Sequence, residues 1–194
     1  MKRTASLLLV LVAAAAIVSS RRTQPRANTV DDTFRFDARS LTDTTNWTKV
    51  NAEPYRISSE LDRLCGRPLT KEGFSKMYAE ERKRNPHAAT YITVYVNAVG
   101  RSAMFTKDSP SFPEGSVIVK QKNEKYPYEE NILLYTVMRK RERGYNPAVG
   151  DWEFNVVNAD GSTVAASGKL ENCQACHVKN PSSDFVFRSY VDFK

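Results

Sequence analysis

The 194-residue sequence has few thiol or imidazole side chains, with three cysteines and two histidines. Cys65 and His87 are the only ones outside residues 173–177. A structural zinc site would have to combine both with that segment in a loose arrangement. A thioredoxin-like dithiol would need a strand-to-helix setting near the start of a domain, which the sequence does not show. Both remain as alternatives, and neither is favoured.

Three further features are missing. The chain carries a net charge of +7, but no aromatic residues alternate with its basic clusters, so we expect no nucleic-acid partner. The clusters are interpreted as solvated faces that could dock an acidic, soluble redox partner; they lie at residues 21–22, 81–84 and 139–143. The sequence has no internal repeat and no alternation of strands with helices, which excludes a parallel α/β fold.

What the sequence does contain is the run Cys173-Gln174-Ala175-Cys176-His177. Two thiols separated by two residues, with a histidine directly after the second, form the signature for covalent attachment of a c-type haem. One helical turn brings both sulfurs to the two vinyl groups of the porphyrin, and the imidazole then reaches the iron. The sequence therefore predicts one covalent haem c, held by Cys173 and Cys176, with His177 as the axial ligand of the iron.

The amino-terminal segment indicates export. Residues 1–4 are basic, residues 5–18 are apolar or small, and small residues precede Arg21-Arg22. Fourteen apolar residues are short for a membrane span, which needs about twenty, so residues 1–20 are predicted to be a cleaved signal peptide. The alternative is an uncleaved anchor facing the periplasm. Because c-type haem is attached outside the cytoplasm, both ends of the sequence predict a periplasmic protein.

Residue patterns along the rest of the chain predict a mainly β fold of the α+β class. Residues 21–45 are polar and are predicted to be a flexible lead-in to a haem domain over residues 46–194. Short helices are expected before residue 65 and over residues 73–84, and Cys65 is interpreted as a buried structural thiol. Strands are expected at residues 91–96, 116–122, 132–139, 152–157 and 163–167, with a hairpin turn at residues 158–161. We expect a meandering antiparallel sheet with a helical layer at its amino terminus.

The second axial position of the iron has no obvious ligand. Residues 178–194 contain neither methionine nor histidine, so a sixth ligand would have to come from upstream. The candidates are Met77, Met104, Met138 and His87. Each is more typical of core or surface packing than of ligation, which favours an open face that binds small molecules.

Together these features resemble the cytochrome P-460 family. The resemblance rests on the carboxyl-terminal CxxCH run and on three segments: Tyr-Ile-Thr-Val-Tyr-Val-Asn (91–97), Phe-Pro-Glu-Gly-Ser-Val-Ile-Val-Lys (112–120) and Asp-Phe-Val-Phe (184–187). It covers residues 47–191. It implies an antiparallel sheet on the haem, commonly in a homodimer. The best-known members oxidise hydroxylamine, whereas the related cytochrome c-prime-beta group binds nitric oxide or carbon monoxide.

The resemblance also implies a role for Lys120, which matches the lysine that is joined covalently to the porphyrin in the enzymes of the family. Alternation along the strand places Lys120 with Ile118, away from Val117 and Val119. The alternative is that Lys120 and Lys122 extend to solvent. Family enzymes carry an arginine in the preceding strand, where this sequence has Ile92.

Phe105 and Phe112 either wall the ligand pocket or pack as ordinary core residues. An apolar wall would favour gas binding over oxidation, because oxidation of a nitrogen substrate needs groups that accept protons.

Three functions follow for an exported mono-haem cytochrome. The first is oxidation of a small nitrogen-containing substrate such as hydroxylamine, with Lys120 tuning the macrocycle. The second is binding of nitric oxide without turnover, and the third is simple electron transfer with both axial positions of the iron filled.

Overall fold

The computed structural model describes residues 34–57, 76, 79–81, 83, 87–88, 90–125, 128 and 130–193. Its main element is a seven-stranded antiparallel sheet. The strands are β1 (Trp47–Lys49), β2 (Tyr55–Arg56), β3 (Tyr91–Asn97), β4 (Val117–Asn123), β5 (Ile132–Lys140), β6 (Trp152–Asn158) and β7 (Val164–Gly168). Strands β3 to β7 form a meander in chain order, and the short strands β1 and β2 both pair with the free edge of β3.

The five strands predicted from the sequence are confirmed, with ends that differ by at most one residue. They form because their residues are rich in valine, isoleucine, tyrosine and threonine, which suit a pleated, partly buried surface. The predicted hairpin joins β6 to β7, and the Gly161 N–H donates to the carbonyl of Asn158 at 2.9 Å. Gly161 has φ +74°, a left-handed conformation that glycine adopts without strain.

Helices are few and short in the described part of the chain. They are α1 (Arg101–Phe105) and α2 (Glu171–His177), with 3₁₀ turns at Ala38–Thr42, Pro147–Val149 and Pro181–Ser183. The α+β, mainly β class is therefore confirmed. Residues 76, 79–81 and 83 are helical, within the helix predicted over residues 73–84. The helix predicted before residue 65, Cys65 itself and residues 1–33 lie outside the described residues.

No helix among the described ranges is long and apolar enough to span a membrane.

The sheet has two faces of different character. The face that carries Lys120 is called the attachment face, because Cys173 of α2 and Leu170, the residue before α2, pack against its core. Its central side chains are Ile92, Val94, Val96, Ile118, Lys120, Lys122, Met138, Phe154 and Val156. The other side is called the opposite face, and its side chains include Val119, Tyr135, Val137, Arg139, Glu153, Asn155, Val157 and Ser167.

The packed part of the chain begins earlier than the sequence analysis placed it. Residues 34–45 belong to the predicted flexible lead-in, but Phe34 and Leu41 are buried against the opposite face. The Ala38 N–H also donates to the carbonyl of Gly161 at 2.8 Å. A few apolar side chains within this polar segment are enough to cover the opposite face. The average composition of the segment does not reveal them.

The basic cluster at residues 139–143 is more than a solvated face. Arg139 and Arg141 form ion pairs with Glu153, which is fully buried, at 2.7 Å and 2.6 Å. Lys140 forms an ion pair with Asp184 at 2.7 Å. Three of its four cations thus pair with two largely buried carboxylates, which leaves less of the positive charge for docking a partner than the sequence suggested.

Candidate functional site

The CxxCH segment forms helix α2, so the two cysteines stand one turn apart. Residues three apart on a helix lie on the same side, which places Cys173 and Cys176 as neighbours. Cys173 is half-buried and packs against the core, Cys176 is exposed, and both are free thiols. Burial raises the pKa of Cys173. The arrangement can present two thiols to one edge of a flat cofactor.

His177 is the last residue of α2 and is held on several sides. Its ring centroid lies 5.0 Å from that of Phe154 and 5.1 Å from that of Phe187. Nδ1 and the Phe185 carbonyl oxygen are 2.6 Å apart, and because a carbonyl only accepts, Nδ1 carries the proton. The Nε2 lone pair is then available to a metal.

The charge state of His177 also suits a metal ligand. Burial, followed by the positive charge of Lys120, lowers the pKa of His177 to about 4, although its hydrogen bond to Phe185 acts in the opposite direction. The imidazole is therefore neutral at pH 7, the form that binds iron.

Lys120 lies in the middle of the attachment face and is 8% exposed. Its Nζ is 5.6 Å from the ring centroid of Phe187 and 5.3 Å from that of Tyr190. Burial, with a smaller contribution from Lys122, lowers the pKa of Lys120 to about 8. The predicted side of the strand is confirmed, and the alternative in which Lys120 extends to solvent does not agree with its burial.

Lys122 shares this environment, although the sequence analysis gave it no role of its own. It is 3% exposed, and burial lowers its pKa to about 8. It interacts electrostatically with Cys173 and Lys120. Neither Lys122 nor Lys120 forms an ion pair or hydrogen bond with another residue in the described ranges. Two buried cations therefore lie near Cys173 and His177 without an anion from the described part of the chain.

Among the described candidates for a second axial ligand, His87 is the one that interacts electrostatically with the two buried lysines and His177. Burial lowers its pKa to about 3, with further effects from Lys122, Lys120 and His177. Met104 and Met138 are buried in the core cluster of the attachment face, and Met77 lies outside the described residues.

The two phenylalanines that were candidates for a pocket wall differ in position. Phe112 is buried with its ring 5.5 Å from that of Trp152, as an ordinary core residue, whereas Phe105 is 41% exposed. Ile92 is buried and lies directly opposite Lys122 in the β3–β4 register. The side chains nearest the buried amines in β3 are thus hydrocarbon.

The site fits a haem better than it fits a bare metal ion. Among the described residues, no group of three metal-binding side chains is clustered closely enough to hold an ion alone. The ring of Tyr190 lies beside the amine of Lys120, and its buried hydroxyl has no hydrogen-bond partner among the described residues. A neutral imidazole, two thiols, buried amines and aromatic rings match a flat, anionic, iron-containing ring.

Sequence reasoning missed several members of this site. Lys122 was detectable, because alternation places it on the same side of β4 as Lys120. Tyr190 and the carbonyl of Phe185 lie in the irregular tail after α2, where no periodicity indicates which groups turn inward.

Comparison with protein-family models identifies the family of this chain. A search of curated proteins finds no match for this sequence. A family model described as Cytochrome P460 matches residues 72–188, which is more than half of the chain and includes both Lys120 and the CxxCH run. This chain therefore belongs to the cytochrome P460 family of haem-binding proteins.

Proposed function

We propose that the protein is an exported mono-haem c-type cytochrome that oxidises a small nitrogen compound of the hydroxylamine class. The observation that carries the proposal is the buried amine of Lys120 beside His177. An amine with a pKa of about 8 is neutral in a substantial fraction of molecules near pH 8, and only a neutral amine can bond to the porphyrin. Formation of that bond also requires a two-electron oxidant.

The chain's own residues would divide the work as follows. Cys173 and Cys176 would hold the haem by thioether bonds, and Nε2 of His177 would bind the iron. Lys120 would tune the ring from the attachment face, while Phe187 and Tyr190 exclude water around its amine. The bound haem supplies one-electron redox chemistry and a coordination position for the substrate. One CxxCH run supports a single haem.

Export and partners form part of the same proposal. Thioether attachment of haem takes place outside the cytoplasm, and residues 1–20 have the pattern of an export signal. Electrons taken from the substrate need an acceptor, for which a soluble redox protein in the periplasm is proposed. A homodimer is proposed from the family resemblance alone.

The test begins with the protein purified from a cell that performs cytochrome maturation. We expect a red-shifted Soret band in the ferrous protein and a haem-linked peptide that includes Lys120 and lacks the hydrogens lost on bond formation. Lys120→Ala should remove both and abolish oxidation of hydroxylamine with an artificial acceptor. Lys120→Arg, which keeps the charge, should behave like the alanine variant, whereas Lys107→Ala at the surface should behave like the wild type.

A second function is favoured by the apolar character of β3. Ile92 and Val94 are buried on the attachment face and offer no group that takes up protons. A protein that binds nitric oxide without turnover would show an ordinary five-coordinate spectrum and no linkage at Lys120. A six-coordinate ferrous spectrum with no exchangeable ligand would contradict both functions and indicate an electron carrier.

A further inference from the structure

We propose that Asp184 and Lys140 form a latch that holds the Phe185 carbonyl on Nδ1 of His177 and thereby sets the reduction potential of the haem. The inference rests on the proposed function, since it concerns a haem bound through His177. It assigns Asp184 and Lys140 as positioning residues, because Nδ1 of His177 donates its hydrogen bond to the Phe185 carbonyl and both residues act through the backbone that carries this carbonyl.

The backbone at this point has an unusual shape. Asp184 has φ +50° and Phe185 has φ +62°, so two consecutive residues that are not glycine adopt the left-handed conformation. The β-carbon of an L-residue disfavours this conformation, and it persists only where surrounding contacts impose it. The turn follows the 3₁₀ segment Pro181–Ser183 and directs the Phe185 carbonyl back toward the end of α2.

Three contacts on Asp184 supply that constraint. The Lys140 ammonium donates to both carboxylate oxygens at 2.7 Å and 2.8 Å, and each of the two side chains is 13% exposed. The backbone N–H of Phe112 donates to Oδ2 at 2.8 Å. The indole N–H of Trp152 donates to the carbonyl of Asp184 at 2.8 Å. The side chain and the backbone of Asp184 are thus held by residues from three separate segments of the chain.

Close packing completes the latch. A β-carbon on Gly150 would lie 2.7 Å from Cδ2 of Phe185 and 2.8 Å from Oδ1 of Asp184, which is closer than such contacts allow. Gly150 has φ +64°, so glycine is also the residue that its own conformation favours. The turn therefore has little freedom to move away from His177.

The consequence for the iron follows from the chemistry of imidazole. A hydrogen bond from Nδ1 to a fixed acceptor makes the imidazole more basic and orients its ring. A more basic ligand stabilises ferric iron relative to ferrous iron, so the latch should lower the reduction potential. Loosening the turn should weaken this bond and raise the potential.

The experiment compares three variants of the haem-loaded protein. Asp184→Asn and Lys140→Met both break the latch, but they remove charges of opposite sign. If each charge acted only through its field, the two variants would shift the midpoint potential in opposite directions. If the latch acts by position, both shift it upward and both lower the frequency of the iron–histidine stretch. Lys140→Arg, which keeps the ion pair, should restore the wild-type values.

Glu153→Gln is the matched control, because it removes a buried, ion-paired carboxylate on the opposite face. It should lower the melting temperature without changing the midpoint potential. Opposite shifts for Asp184→Asn and Lys140→Met, or a shift in Asp184→Asn no larger than in Glu153→Gln, would overturn the latch while leaving the proposed function intact. If Asp184→Asn does not fold, the pair Lys140→Met and Lys140→Arg decides the question. Wild-type protein without haem would instead contradict the proposed function, and the latch with it.

Discussion

Both faces of the sheet bury charged side chains, but the two faces differ in whether those charges have partners of opposite charge among the described residues. On the opposite face, the carboxylate of Glu153 is fully buried and accepts from Arg139, Arg141 and the Ser167 hydroxyl. On the attachment face, Lys120 and Lys122 are buried without an anion among the described residues. A buried charge that is paired can serve the fold, whereas a buried charge without a partner costs stability.

This difference distinguishes residues that support the fold from residues that would contact a ligand, which burial alone does not do. The two amines, which have no anion among the described residues, lie near His177 and Cys173, and the Tyr190 ring beside Lys120 carries a hydroxyl that has no hydrogen-bond partner there either. Polar groups of this kind are expected where a ligand completes the site. Even on the attachment face, the pairing of Lys140 with Asp184 marks a structural element, because it fixes the turn that supports His177.

The largest expected effect tests the paired side of the comparison. Glu153→Gln keeps the shape of the side chain but removes the charge that neutralises Arg139 and Arg141. Since both arginines are about a quarter exposed, water relieves part of the loss, and we expect the free energy of unfolding to fall by about 3 kcal/mol. Urea denaturation measures it. Unchanged stability would show that these ion pairs do not support the fold.

On the attachment face, removal of a buried cation should change the free energy of unfolding in the opposite direction. In a Cys173→Ala/Cys176→Ala background, which prevents haem attachment, Lys122→Met should raise the free energy of unfolding at pH 7 by about 2 kcal/mol. The reason is that methionine fills the buried site without a charge that must be desolvated. Loss of stability in this variant would mean that the amine has a stabilising partner, and the comparison would fail.

The same variant has a pH signature. The pKa of Lys122 is about 8 in the folded protein and about 10.5 when unfolded, so between these values the unfolded chain binds more protons. Stability should therefore rise as the pH increases from 8 to 10.5 in the parent background, and Lys122→Met should lack this contribution to the rise. Lys107→Met, at the surface, is the control for the loss of one positive charge.

The sequence predicted those features of the fold that depend on residues close together in the chain. The strands and the hairpin were predictable because alternating β-branched residues and an Asn-Ala-Asp-Gly turn act over a few positions. The helical turn between Cys173 and Cys176 was predictable for the same reason. The ion pair of Lys140 with Asp184 spans 44 residues, and the cover provided by Phe34 and Leu41 depends on distant strands, so neither leaves a local pattern.

That cover offers a smaller test of the opposite face. A β-carbon on Gly161 would lie 2.5 Å from Cβ of Ala38, whereas Gly144 has nothing within 4 Å, and both have positive φ. Gly161→Ala and Gly144→Ala should each lose stability from backbone strain, but Gly161→Ala should lose about 1 kcal/mol more by displacing residues 34–42. Denaturation gives the difference, and faster proteolysis near Ala38 in Gly161→Ala alone would locate it. Equal losses would contradict a packed role for this segment.

The smallest effect on stability is expected at Tyr190, where the comparison becomes sharpest. Tyr190→Phe removes a buried hydroxyl that makes no hydrogen bond to the described residues, so the free energy of unfolding should change by less than about 0.5 kcal/mol. Ser167→Ala, on the opposite face, removes a hydroxyl bonded to Asn155 and Glu153 and should cost about 1 kcal/mol. In the haem-loaded protein the order should reverse for function: Tyr190→Phe should alter the ferrous spectrum or the affinity for nitric oxide, and Ser167→Ala should alter neither. A different result would be that Tyr190→Phe destabilises the fold as much as Ser167→Ala and leaves the ferrous spectrum unchanged. The hydroxyl of Tyr190 would then support the fold. The absence of a hydrogen-bond partner would no longer identify the groups that face the cofactor.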